Sequence, residues 1–144
     1  MVRWIFVVSF LAAMTASGGA FAGDPKGLWL TDRGKAKIEI APCGALLCSK
    51  IVWLSRPHGS DGEPVRDRHN PDPQLKNRPV VGLATFSGLR KKSPNMWSGR
   101  VYNPEDGKTY MVQLTLVEEG VIHVSGCRAG TMECGQRVWR RVGR

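Results

Sequence analysis

From Lys26 onward no apolar period of three to four residues is sustained over three helical turns, so the chain must bury its hydrophobic residues on strands. Lys37-Ile38-Glu39-Ile40 alternates polar with apolar, Ser49-Lys50-Ile51-Val52-Trp53-Leu54 is a β-branched and aromatic run, and Val112-Gln113-Leu114-Thr115-Leu116 alternates again. Turn chemistry separates these runs at Asp32-Arg33-Gly34, Pro42-Cys43-Gly44, Asn103-Pro104-Glu105-Asp106-Gly107 and Glu118-Glu119-Gly120. The pattern predicts eight strands, over 27–31, 36–42, 47–54, 81–90, 96–102, 108–117, 121–127 and 136–142.

One long break interrupts them. Residues 58–79 are rich in Gly, Asp, Asn and Pro, and the prolines in and around them (Pro57, Pro64, Pro71, Pro73 and Pro79) lack the donors a central strand needs. A connection of roughly 20 residues exceeds the usual limit of ~12–15 inside a compact domain. It is either a lid or binding loop, or it hides an element of its own. Asp72-Pro73-Gln74-Leu75-Lys76 could hold one short helical turn.

The first 22 residues have the form of a secretory leader. Arg3 precedes an apolar run over residues 4–14 without an acidic residue, and Ala20-Phe21-Ala22 is an A-x-A cleavage site. That run is shorter than the ~18–20 residues that span a bilayer, so a cleaved signal peptide is expected rather than a permanent membrane anchor. Cleavage after Ala22 leaves a single domain, 23–144, in the periplasm or outside the cell. All four cysteines lie in that part, as Cys43/Cys48 and Cys127/Cys134, each pair bracketing a turn-like stretch, and an oxidising compartment favours two local disulfides. Neither pair has zinc-ligand spacing, and His58, His69 and His123 form no paired-His pattern. By loop entropy each bridge contributes about 2 kcal/mol.

Loss of Arg3 with the leader takes the formal net charge from +9 to +8. Such a charge favours anionic partners, among them headgroups, cell-wall polymers, acidic small molecules and acidic proteins. Nucleic acid ranks below these because no recognition motif accompanies the charge. The basic residues are scattered, which equally serves solubility.

Consecutive antiparallel hairpins with one apolar face resolve their edges by closing into a barrel. The expected architecture is all-β: an eight-stranded antiparallel barrel with one long loop, preceded by a signal-peptide helix, and the motifs that follow make it lipocalin-like. Gly27-Leu28-Trp29 is the G-x-W found at the start of lipocalin-like barrels, where a basic residue near the end of the last strand packs over the tryptophan. Arg140 or Arg141 is placed to do so. The wider series of motifs includes Ile38-Glu39-Ile40-Ala41-Pro42-Cys43-Gly44, Ile51-Val52-Trp53-Leu54, Asp67-Arg68-His69-Asn70-Pro71-Asp72-Pro73, Arg78-Pro79, Trp97-Ser98-Gly99, Tyr102-Asn103-Pro104-Glu105-Asp106-Gly107-Lys108-Thr109-Tyr110 and Gly126-Cys127. It resembles the bacterial DUF2147 family of exported proteins over nearly the whole mature chain. The resemblance implies a lipocalin-like barrel in the periplasm or outside the cell, and implies no activity.

No catalytic signature is present: G-x-S-x-G, H-E-x-x-H and a glycine-rich phosphate loop are all missing, and the thiols are assigned to bridges. No cofactor or metal is expected. Asp67, His69 and Asp72 in the long loop could form a hydrolase-type acid–base site, but Asp and Asn near proline also cap turns with their own side chains. Five large rings, Trp29, Trp53, Trp97, Tyr102 and Trp139, either fill a small barrel or surround a ligand. On the second reading Trp53 and Tyr102 line a cavity, Arg78 pairs with an anionic head group at its mouth, and Asn70 and Asp72 contribute from the loop. The function expected is non-enzymatic binding of a small hydrophobic or amphipathic molecule. The alternatives are an envelope module that uses a basic surface to meet an anionic component, and the Asp67/His69/Asp72 enzyme. Oligomeric state leaves no mark on the sequence.

Overall fold

The computed structural model describes residues 22–128 and 130–144. The expected leader helix lies outside the described residues. Eight strands follow one another as β1 (Gly27–Leu30), β2 (Ala36–Cys43), β3 (Leu46–Leu54), β4 (Ala84–Ser93), β5 (Met96–Asn103), β6 (Lys108–Glu118), β7 (Val121–Arg128) and β8 (Cys134–Gly143). Each pairs antiparallel with the next, and β8 returns to β1 to close the barrel. The largest boundary difference from the sequence pattern is at β4, which begins at Ala84 rather than residue 81. Val80-Val81-Gly82-Leu83 turns back on β3 instead, with Ile51 and Gly82 donating to the carbonyls of Leu83 and Ile51.

Alternation decides which residues face inward. Ala36, Ile38 and Ile40 are buried on β2 while Lys37 and Glu39 between them are not. Leu114, Leu116 and Ile122 are at most 1% exposed, and Trp29, Trp97 and Trp139 join them in one core cluster. Full burial of each aliphatic side chain contributes about 1.5–3 kcal/mol. The disulfides are Cys43–Cys48 and Cys127–Cys134, each across a hairpin, and no cysteine is free.

The two ends of the barrel differ. At the base, Trp29 Nε1 donates to the carbonyl of Pro25 at 2.9 Å, and the guanidinium of Arg141 lies 4.5 Å from the Trp29 ring. Arg141 also donates to the carbonyls of Lys26 and Asp24. Of the two arginines it is therefore Arg141 that covers the tryptophan; Arg140, one residue earlier and out of phase, is exposed. Gly27 makes the contact feasible: its φ is +130°, and a Cβ there would lie 2.7 Å from the Gly143 carbonyl oxygen. At the opposite end, the mouth, lie the β1–β2, β5–β6 and β7–β8 turns and the long β3–β4 connection, residues 55–83.

Candidate functional site

The long connection is ordered around one carboxylate. Asp67 is fully buried. Its Oδ1 accepts from the Tyr102 hydroxyl at 2.5 Å, and its Oδ2 accepts from Asn70 Nδ2 at 2.8 Å and from Arg78 Nε at 2.9 Å. Arg78 Nη2 closes an ion pair with the same oxygen at 2.9 Å. The backbone cooperates, because the Asp67 amide donates to the Arg78 carbonyl and Arg66 bridges Pro79. A short ladder thus brings residues 66–67 beside 78–79 and sets Arg78 where its guanidinium forks onto Asp67.

Tyr102 reaches this carboxylate because of a gap in the sheet. The β4–β5 ladder covers only Arg90–Ser93 against Met96–Ser98, so the mouth half of β5 has no β4 partner. The loop lies at that end of β5, and the Tyr102 side chain joins it to the strand. Burial, then the hydrogen bond to Asp67 and its negative charge, push the Tyr102 phenol up to about 12. Arg78 lies 5.9 Å over the Tyr102 ring, with its side chain 39% exposed. Held on one side by Asp67, this cation keeps a face toward solvent.

The loop is also seated on the β5–β6 turn. Gly107 (φ +70°) lies against His69 so closely that a Cβ would fall 1.8 Å from the His69 carbonyl oxygen. In the same turn the Asp106 carboxylate accepts from the Lys108 amide at 2.9 Å and from the Tyr110 hydroxyl at 2.5 Å. That hydrogen bond, ahead of burial and charge, raises the Tyr110 phenol above its ordinary value. Turn formation accounts for one oxygen of Asp106; the other fixes a ring at the barrel mouth.

The remaining expected site residues are distributed as follows. Asn70 is buried; its Nδ2 donates to Asp67 and its Oδ1 accepts from the Asp72 amide. Asp72 is exposed and caps the 3-10 turn Pro73–Leu75, accepting from the Gln74 amide at 2.9 Å. Trp53 does not line the interior. A bulge sets Lys37 opposite Trp53 but Ile38 opposite Ile51, so the strand reverses phase between Ile51 and Trp53. Trp53 consequently lies on the outer wall, 40% exposed, with the Lys37 ammonium 4.9 Å from its ring. Asp67, His69 and Asp72 do not converge as an acid–base set: Asp67 is buried and occupied by three side chains, whereas His69 and Asp72 are exposed. Among the described residues no three metal-ligating side chains are grouped.

The interior itself is graded. Toward the base the rings and aliphatics fill it, while at the mouth the inward-phase Val101, Tyr110 and Val124 pack on the core and are only partly buried. Sequence reasoning passed over these three, although the alternation that places Trp97, Val112 and Ile122 inward also selects them. An open cleft of about 420 Å³ is outside the barrel at its base, beside Asp24, Lys26, Glu119 and Arg141.

A closed eight-stranded antiparallel barrel, sealed at the base by a first-strand tryptophan under a last-strand arginine, is a lipocalin-like fold. The chain belongs to the family described as "Uncharacterized protein conserved in bacteria (DUF2147)", which it matches over residues 27–141. It is similar to the solved structure of protein HP1028 from the human pathogen Helicobacter pylori, which belongs to the lipocalin family. The identity is 24%, the match covers 83% of each chain, and the TM-score is 0.69, a likeness that establishes the fold. No curated protein matches the chain.

Proposed function

We propose that the protein is an exported, non-enzymatic binding protein that takes a small amphipathic anionic molecule at the barrel mouth. The observation that carries this reading is Arg78, a half-exposed guanidinium fixed by a buried carboxylate at the mouth end of the barrel. A cation held in place by Asp67 and Tyr102 loses little freedom on meeting a carboxylate or phosphate. Val101 and Tyr110 pair across β5 and β6 at the same end of the barrel and give partly buried apolar surface inside the mouth for the ligand's hydrocarbon part, on the opposite face of β5 from Tyr102. Two disulfides and a bacterial family support export to the periplasm or beyond. Among the described residues no helix is long and apolar enough to cross a membrane.

The test is native mass spectrometry on the mature protein purified from a bacterial periplasm, compared with the same sample after denaturation. A small-molecule mass that disappears on denaturation is expected, and Arg78→Lys, which keeps the charge but loses the fork, should carry less of it. A bare mass, together with no thermal stabilisation by a panel of fatty acids and lipid phosphates, overturns the reading.

A further inference from the structure

Charge is unevenly distributed around the barrel wall. Strands β4, β5, β6 and β7 carry one carboxylate between them, Glu118 at the far end of β6. On β2 and β3, by contrast, Lys50 is neutralised by Glu39 at 2.9 Å, and Lys35 at the β2 end pairs with Glu105 at 2.8 Å. Register places Arg90 opposite Ser98 and Arg100 opposite Met111, so Arg90 and Arg100 share the outward phase of adjoining strands, and Lys92 sits at the β4 irregularity between Lys91 and Ser93. All three are exposed, and none forms an ion pair among the described residues. Around them the outward positions carry no carboxylate: Ser98, Gln113, Thr115, Ser125 and His123, which is hydrogen-bonded to Gln136, with Met111 48% exposed and Val117 41% exposed on β6.

We infer that this wall docks on an anionic phospholipid bilayer. Its unpaired cations form a two-dimensional array over adjoining strands, which matches a plane of headgroup phosphates. The exposed Met111 beside Arg100 offers apolar surface to the headgroup boundary. A single-stranded nucleic acid would need free aromatic rings to stack on, and Tyr102, which shares the outward phase of Arg100, is already engaged by Asp67 and Arg78. The inference is independent of what the mouth binds, because the wall and the Asp67–Arg78 cluster share no residue.

The experiment is vesicle co-sedimentation of the mature, disulfide-bonded protein with phosphatidylglycerol-containing and pure phosphatidylcholine vesicles, at low and high salt. Binding is expected to the anionic vesicles only and to weaken with salt. Each cation near an anionic surface strengthens binding roughly fivefold, so Arg90→Ser/Lys92→Ser/Arg100→Ser should weaken it on the order of 100-fold. Lys50→Ser, which removes a neutralised cation from another wall, should change it less than about twofold. Arg90→Lys/Arg100→Lys should retain binding. Equal binding to both vesicle types, or a triple variant that binds like the parent, overturns the inference. So does salt-sensitive binding to soluble polyphosphate without binding to anionic vesicles, which would make the wall's partner a soluble polyanion.

Discussion

The hydroxyl of Tyr102 donates to the buried carboxylate of Asp67 at 2.5 Å, tying β5 to the long loop across 35 residues of sequence. Asp67 has no solvent to fall back on, so each of its donors carries weight. Tyr102→Phe leaves one carboxylate oxygen without its hydroxyl and should cost about 1–3 kcal/mol. Urea unfolding measures it directly. The variant should also be cut faster within residues 58–79 by a protease under native conditions, and unchanged stability with unchanged cleavage would show that the hydroxyl is dispensable.

Only two tyrosines are present, and both phenols are raised, Tyr102 to about 12. In Tyr110→Phe the tyrosinate absorbance therefore reports Tyr102 alone, with an expected midpoint near that value. The sign of the stability change follows. A folded-state value above the ordinary one of about 10 means that the native protein holds the phenolic proton more tightly than the unfolded chain does. The associated stability is fully present below pH about 10 and is lost as pH rises through about 12. A midpoint close to 10 would mean that the Asp67 contact does not persist in solution.

Gly107 tests how the loop is seated. Its φ of +70° disfavours any side chain, and a Cβ would overlap the His69 carbonyl oxygen at 1.8 Å. Gly107→Ala should push the loop off the β5–β6 turn, raising amide exchange around residues 67–72 while leaving exchange in β1, β2 and β8 unchanged. If exchange rises only at the turn itself, the loop is held by Asp67 without help from the seat.

The strands were legible because each depends on its own residues: Ile38 and Ile40, or Leu114 and Leu116, announce an inward face by period alone. Trp53, expected at a cavity as one of five large rings, is on the outer wall, and alternation would not have corrected it. Period two extrapolates from Ile51 to Trp53, and only pairing with β2 reveals the bulge between them. The cluster at the mouth was half legible. Arg78, Tyr102 and Asn70 stood out by type and position, but the residue that unites them is Asp67, whose partners lie 3, 11 and 35 residues away. Such convergence follows from the gap beside β5, which no local pattern encodes. At the base, alternation left Arg140 and Arg141 open until the β1–β8 register placed Arg141 opposite Trp29.

That base contact allows stability to be separated from binding. Arg141 stacks on Trp29 and donates to two backbone carbonyls of the segment leading into β1, yet its Nε is buried without a partner. The stacking and the two charge-assisted bonds outweigh that desolvated nitrogen. Arg141→Met keeps an unbranched apolar stem, two atoms shorter, and removes both the orphaned donor and the contacts, so the net loss should be about 1–3 kcal/mol. Because Trp29 and Arg141 lie at the end opposite Arg78, ligand occupancy in native mass spectra should match the parent at temperatures where the variant is folded. Arg78→Lys also loses a donor to buried Asp67 and so costs stability, but at temperatures where it is folded its occupancy should fall below the parent's. Equal loss of occupancy in both would mean that the ligand senses the whole barrel rather than its mouth, and would move the binding site toward the core beneath Val101 and Tyr110.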